Sequence, residues 1–216
     1  MKKIKRITIS RKSVPYLEHS LSIQAQKGWQ RSSPVYESLE GFHCVDMTIE
    51  AYPVIYTSIT GVLLPQTLSA QNSALEKFSS GHFTDIQFSP RSVDSLITLL
   101  ESTNARLKVH SMWRYRLFDE REKMMELFMK NGFQPHHFHQ DFFVPFKGRD
   151  GVREYDIEFS RSDDSFVNIV IDTRNDLDLS DDFIVYNPVS VDTGLALVDV
   201  DVDVVAFLID CINKGC

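Results

Sequence analysis

The chain has 216 residues, 43% of them hydrophobic and fifteen of them Phe, and it carries a formal net charge of −7. That composition excludes global disorder, and the length suits one large domain or two small ones. No run approaches the roughly 20 apolar residues of a membrane span, the basic start leads into Ile7-Thr-Ile-Ser rather than an apolar stretch, and an acidic balance speaks against general nucleic-acid binding.

In chain order, the spacing predicts a strand over 4–10 and a helix over 14–27 that stops at Gly28, with Trp29 packing back. Ser13 is placed to cap that helix and Pro15 falls in its first turn. Strands are expected near 42–50 and 53–60, the second opening on Pro53, then a helix from about 67 to 78 that ends before Gly81. Next come a strand over 83–88, a helix over 90–103 capped by Ser89 and a strand over 106–116. A helix over 119–131 stops at Asn131-Gly132, and a strand over 136–146 leads to the turn cluster Lys147-Gly-Arg-Asp-Gly151. Strands over 152–159, 166–171 and 183–187 and a terminal helix near 200–213 complete the chain. The segment Val198–Val204 alternates like a strand, but Val204, Val205, Leu208, Ile209 and Ile212 follow helical spacing.

Strands outnumber helices in this reading, and neighbours lie close enough for hairpins. The expected class is therefore α+β, with a mixed or mainly antiparallel sheet and helices packed on it. Ile7–Val14 and Ile86–Val93 share an alternating phrase followed by a Ser-rich turn, which suggests a duplicated strand-helix unit. One domain over 1–216 is expected, with a subdivision into a mildly basic part, 1–147, and an acidic part, 148–216. The acidic part holds sixteen acidic residues, fourteen of them Asp, against five basic ones. Cys44, Cys211 and Cys216 are odd in number and lack paired spacing, as expected of a reduced, cytosolic chain.

The densest chemical cluster is Gln134-Pro-His-His-Phe-His-Gln-Asp-Phe-Phe143. On a strand, His137, His139 and Asp141 share a face, which makes them a candidate divalent-metal site. His137-Phe138-His139 resembles the His–hydrophobe–His strand of the HUH endonucleases, which implies metal-assisted cleavage of single-stranded DNA. That chemistry needs a tyrosine on a later helix, and the later tyrosines, Tyr155 and Tyr186, fall in strand-like segments. His82-Phe-Thr84 resembles half of a 2H phosphoesterase pattern, and the second His-x-Thr/Ser is missing. No Gly-rich phosphate loop follows a strand. Asp176, Asp178 and Ser180 place oxygens at alternate positions as a calcium loop does, without its glycine.

With no complete catalytic set, the expected function is a non-catalytic intracellular protein-interaction module of the bacterial immunity or antitoxin kind. Its basic partner would dock on Asp176, Asp178, Asp181, Asp182, Asp199, Asp201 and Asp203, since complementary charge speeds and selects association. No cofactor, nucleic-acid partner or membrane partner is expected. The alternative is a metal-dependent phosphodiesterase built on the His137, His139 and Asp141 face.

Overall fold

The computed structural model describes residues 3–115, 120–146, 153–174 and 176–187, together with Phe207, Leu208, Asp210, Ile212 and Lys214. Two compact units divide the chain. One is formed by Met1–Tyr52 with Ser162–Phe166, the other by Pro53–Arg161 with Val167–Cys216.

The first unit opens with strand β1 (Lys3–Arg11), helix α1 (Val14–Gln26) and the short strands β2 (Gln30–Arg31) and β3 (Tyr36–Glu37). All three strands pair antiparallel with β4 (His43–Thr57), in the register Ile7↔Met47, Gln30↔Thr48 and Tyr36↔Cys44. Here β4 alternates as a half-buried strand should: Val45, Met47 and Ile49 are buried and Glu50 is exposed. They pack on Leu17 and Leu21 of α1 and on Trp29. Burying a leucine as completely as Leu17 contributes about 1.5–3 kcal/mol. Ser13 stands at the N-cap in an extended conformation, but its hydroxyl makes no cap bond.

The second unit takes over the end of β4, and its elements are α2 (Leu68–Ser79), α3 (Pro90–Thr103), β5 (Arg106–Val109), α4 (Arg121–Lys130), β6 (Phe138–Phe143), α5 (Arg153–Phe159), β7 (Ser165–Ile171) and β8 (Phe183–Tyr186). Five strands lie in the order β6-β5-β4-β7-β8, with β4·β5, β5·β6 and β7·β8 all paired parallel. The expected mixed or mainly antiparallel sheet is thus corrected to a parallel one, to which β1, β2 and β3 add antiparallel pairings on β4. Parallel neighbours need a crossover, and helices supply it: α2 and α3 between β4 and β5, α4 between β5 and β6.

Several expected strands are something else, which is why hairpins seemed available. The strands expected over 42–50 and 53–60 are one strand, β4. Pro53 lies between Ala51, the last residue paired with β1, and Val54, the first paired with β5, so it removes no hydrogen bond from either ladder. The strand expected over 83–88 is a 3-10 turn at Phe83–Asp85. With no strand ahead of α3, the duplicated strand-helix unit is absent. The strand expected over 106–116 ends at Val109 and gives way to a 3-10 turn at Met112–Tyr115. The strand expected over 152–159 is α5, whose Glu154 and Asp156 sit favourably in its first turn. The helix over 90–103 is α3 to the residue, entered through Ser89 and Pro90 and left through Asn104 in the left-handed conformation, φ 55°.

The core of this unit includes Val54, Tyr56, Val144, Ile157, Val170 and Phe183. A second set of rings gathers around Phe128, with Phe88, Phe133, Phe138 and Phe142 at centroid distances of 5.1–6.2 Å. Near the C-terminus, Phe207, Leu208, Asp210, Ile212 and Lys214 are helical, whereas the ambiguous stretch 198–204 lies outside the described residues. Among the described residues no helix is long and apolar enough to cross a membrane.

Candidate functional site

The chain runs outward through β4, β5 and β6, then returns to lay β7 on the other side of β4 and steps out to β8. Strand order therefore reverses between β4 and β7. In open parallel sheets a crevice opens beyond the carboxyl ends of the strands at such a reversal. A pocket of about 490 Å³ is found there. Ser58 and Thr60 reach it from the end of β4, Ser111, Met112 and Trp113 from the end of β5, and Asp172, Thr173 and Arg174 from the end of β7. Arg153, at the start of α5, and Gln71, Ala74, Leu75 and Phe78 of α2 line the remainder with Leu64 and Gln66.

The strand ends are tied to one another. Ser58 N–H donates to the Ile171 carbonyl at 3.1 Å, and His110 N–H donates to the Thr57 carbonyl at 3.1 Å. After β4 the chain turns sharply, with Leu63 and Leu64 N–H both donating to the Ile59 carbonyl at 2.9 Å and Ile59, Val62 and Leu63 fully buried. Gly61 takes φ +85° within this turn, a conformation that L side chains rarely adopt. A Cβ there would collide with the Thr173 side chain, so the turn after β4 meets the turn after β7 at a glycine. Gln66 Nε2 donates to Thr173 Oγ1 at 2.8 Å, and Trp113 Nε1 donates to Thr60 Oγ1 at 3.0 Å, which fixes the indole plane.

Charge is concentrated on the β7 side. Asp172 is 1% exposed; one carboxylate oxygen receives Arg153 Nη1 and the other receives the Arg174 N–H at 2.9 Å. Arg174 grips Asp176 with two bonds of 2.8 and 3.0 Å and reaches Glu154 at 3.1 Å. Hydrogen bonding from Arg174 holds the Asp176 carboxyl below the ordinary aspartate range, and Asp176 in turn raises the Arg174 guanidinium. Behind the pocket, His110 is fully buried, with Nδ1 3.6 Å from Asp172. Burial pushes its pKa down to about 4, against the pull of the Asp172 carboxylate, with Arg153 and Arg114 adding to the depression. Deeper still, Arg114 and Asp156 form a buried ion pair.

The sequence-based metal candidates do not converge. Pro135–His137 is a 3-10 turn and β6 begins only at Phe138, so His137 is not on the strand. β5 and β6 also shift register, with Leu107 opposite Phe138 and Val109 opposite Phe143, and this breaks the alternation that would align His139 with Asp141. His139 is buried with Nδ1 accepting the Asp141 N–H at 2.9 Å, whereas Asp141 is exposed.

His137 instead joins His136 and Glu101, the one group of three potential ligands within 4.8 Å of one another among the described residues. Glu101 Oε1 lies 2.6 Å from His137 Nε2 and 2.9 Å from His136 Nε2, and these bonds lower its pKa. Gln134 N–H donates to His137 Nδ1 at 3.0 Å, so neutral His137 carries its proton on Nε2 and donates it to Glu101. A metal on Nε2 would force a proton onto Nδ1, facing the Gln134 N–H. Metal-binding histidines have the opposite arrangement, with an acceptor at the second nitrogen. The cluster is a hydrogen-bonded clasp between α3 and the turn before β6.

Of the expected docking aspartates, Asp176 is held by Arg174 and Asp182 by Arg161, while Asp178 and Asp181 are exposed. Asp199, Asp201 and Asp203 lie outside the described residues. Sequence reasoning missed Ser58, Thr60, Ser111, Arg153 and Arg174 as a group. The available signal was a polar pair or triplet directly after an apolar strand, three times over: Ser58-Ile-Thr60, His110-Ser111 and Asp172-Thr-Arg174. No protein-family model, curated protein or solved structure matches the chain.

Proposed function

We propose that the chain is a binding protein whose small-molecule ligand sits in the crevice at the carboxyl ends of β4, β5 and β7. One observation carries this. Hydroxyl, carboxylate and guanidinium groups from three separate strand ends converge on a single pocket where the strand order reverses, and the volume of about 490 Å³ falls in the range of ligand sites, about 300–1,000 Å³. Binding is favoured over catalysis by the state of the titratable groups. Both oxygens of Asp172 are engaged, and His110, neutral near pH 7 and hydrogen-bonded to neither Ser58 nor Ser111, is not set up as their general base.

A thermal-shift screen of a broad metabolite panel tests this, run beside Gln71→Trp, which places an indole in the pocket from the exposed face of α2. A ligand at 100 times its Kd stabilises the wild type by about 2.7 kcal/mol. The shift is expected to vanish in Gln71→Trp. Compounds that shift both proteins equally, or a panel without a single hit, overturn the proposal.

A second proposal keeps the docking of a basic protein. It is supported by Asp178 and Asp181, which are exposed in the β7–β8 connection and make no ion pair with a described residue. Binding to a cationic partner should weaken steeply with salt and fall with Asp178→Asn plus Asp181→Asn; a salt-insensitive complex sinks it.

A further inference from the structure

We infer that the ligand of this pocket is an aromatic anion, a flat ring bearing a phosphate or carboxylate group. The inference rests on the crevice being a ligand site and goes further by naming what fits it. The two walls of the pocket differ in chemistry. One is apolar and aromatic: Ala74, Leu75 and Phe78 of α2 face Met112 and Trp113. Phe78 meets the Trp113 ring edge-on at 4.9 Å and stacks on Phe83 at 5.5 Å, so its ring is held from two sides. Trp113 is pinned by its bond to Thr60. Rings fixed in this way present π-faces and edges at little entropic cost to a planar guest. Leu75 and Met112 remain 44% and 46% exposed beside them, apolar surface that such a guest would cover.

The rest of the lining is polar and rich in donors. It holds Arg153, Arg174, Ser58, Ser111 and Thr173, with Asp172 as the acidic residue of the described lining; Asp176 and Glu154 offset Arg174, which leaves Arg153 as the cation whose fork is only partly engaged. The two arginines are not equivalent. Arg174 spends its Nε and Nη2 on Asp176 and Glu154. Arg153 gives Nη1 to Asp172, but its buried Nε has no partner among the described residues. A guanidinium N–H without an acceptor is costly, and an oxyanion meeting the fork of this lining residue, with the side chain turned to present Nε, would relieve that cost. Both Asp172 oxygens are already engaged, so a cationic guest meets no open carboxylate in the described lining. A lone phosphate or sulfate would leave most of the volume, and the whole aromatic wall, unused.

The test uses the full chain with Trp29→Phe, which leaves Trp113 as the sole tryptophan and a fluorescent reporter inside the pocket. Phenyl phosphate, phenylacetate, inorganic phosphate, benzyl alcohol and benzylamine are titrated separately. At least one of the first two should quench Trp113 with a Kd ten or more times lower than those of phosphate, benzyl alcohol and benzylamine; which one distinguishes phosphate from carboxylate. Arg153→Gln should weaken the ring anions at least tenfold and leave benzyl alcohol unchanged, whereas Phe78→Ala should weaken the ring compounds and leave phosphate unchanged. Arg153→Lys keeps the charge without the fork, is read beside the melting temperature, and should fall between wild type and Arg153→Gln.

Equal affinity for benzylamine or benzyl alcohol overturns the anionic half, and equal affinity for inorganic phosphate overturns the aromatic half. If the metabolite panel gives hits sensitive to Gln71→Trp but no ring anion binds, the ligand class is wrong and the crevice proposal stands. If nothing binds, both fall.

Discussion

Gly61→Ala should damage the unit that holds the crevice more than a methyl group suggests. Three costs add. An L-residue at φ +85° is strained by about 1–2 kcal/mol. The new Cβ also runs into Thr173 Cγ2 and lies 3.0 Å from Thr173 Oγ1 and 2.6 Å from Gln66 Nε2. Gln66 is exposed and can swing away, so its share is the hydrogen bond to Thr173, about 1 kcal/mol. Thr173 cannot move as cheaply, because it is β-branched and follows directly on buried Asp172; overpacking of this kind costs about 1–3 kcal/mol. The sum is about 3–6 kcal/mol, or a fall in melting temperature of about 6–24 °C for a chain of this size. Urea unfolding of Gly61→Ala, Thr173→Ala and the double variant is the assay. Thr173→Ala removes both Thr173 atoms that the new methyl meets, so the double variant should be more stable than the sum of the single losses predicts, by about 1–2 kcal/mol. A loss under 1 kcal/mol in Gly61→Ala, or strict additivity, would refute the claim that the two turns interlock at this glycine.

Asp156→Ala should cost about 3–5 kcal/mol because it leaves Arg114 charged, buried and unpaired; a urea midpoint close to wild type would contradict a buried pair. His110 makes stability fall as pH drops. Its folded pKa of about 4 lies below the ordinary 6.5, so between those values the unfolded chain takes a proton that the folded one refuses. The loss approaches roughly 3 kcal/mol by pH 4 and is absent above about pH 6.5, and His110→Asn should flatten the urea-midpoint profile across that window. For His137, long-range ¹H–¹⁵N spectra at neutral pH should show the Nε2–H tautomer, and zinc should leave the melting temperature unchanged; an Nδ1–H tautomer would reopen the metal site.

The parallel sheet was partly legible, and what hid it is specific. β1 and the first half of β4 alternate between half-buried or buried and exposed positions, the pattern of a strand with one wet face, and they were found on that pattern. Val54–Thr57 and Val167–Ile171 are buried at every position, as central parallel strands must be when helices cover both faces. A continuous apolar run does not disclose strand direction, so direction had to come from the connections, and these were misread at two points. At 83–88, buried Ile86 and Phe88 alternate with exposed Asp85 and Gln87, but the Ile86 N–H closes a tight turn onto the Phe83 carbonyl instead of joining a ladder. At 153–159, alternation in Arg-Glu-Tyr-Asp-Ile-Glu-Phe conceals a helix whose Asp156 is drawn inward by Arg114, some forty residues earlier in the chain. Both errors turn crossover segments into strands, and a crossover read as a strand turns parallel neighbours into hairpins.

The same error removed the crevice from view, because a ligand site at the carboxyl ends of strands exists only if several strands end on the same side. Once β4, β5 and β7 are parallel, Ser58, Ser111 and Asp172 become one set of neighbours; in a hairpin reading they are three unrelated loop residues. Charge density by itself does not mark a site here, for a related reason. The aspartates of the last third are numerous, but Asp156, Asp172, Asp176 and Asp182 each face an arginine, the first two of them buried, so part of that charge is already paired. What distinguishes the pocket is the opposite of abundance: a single lining arginine, Arg153, whose buried Nε no described group accepts.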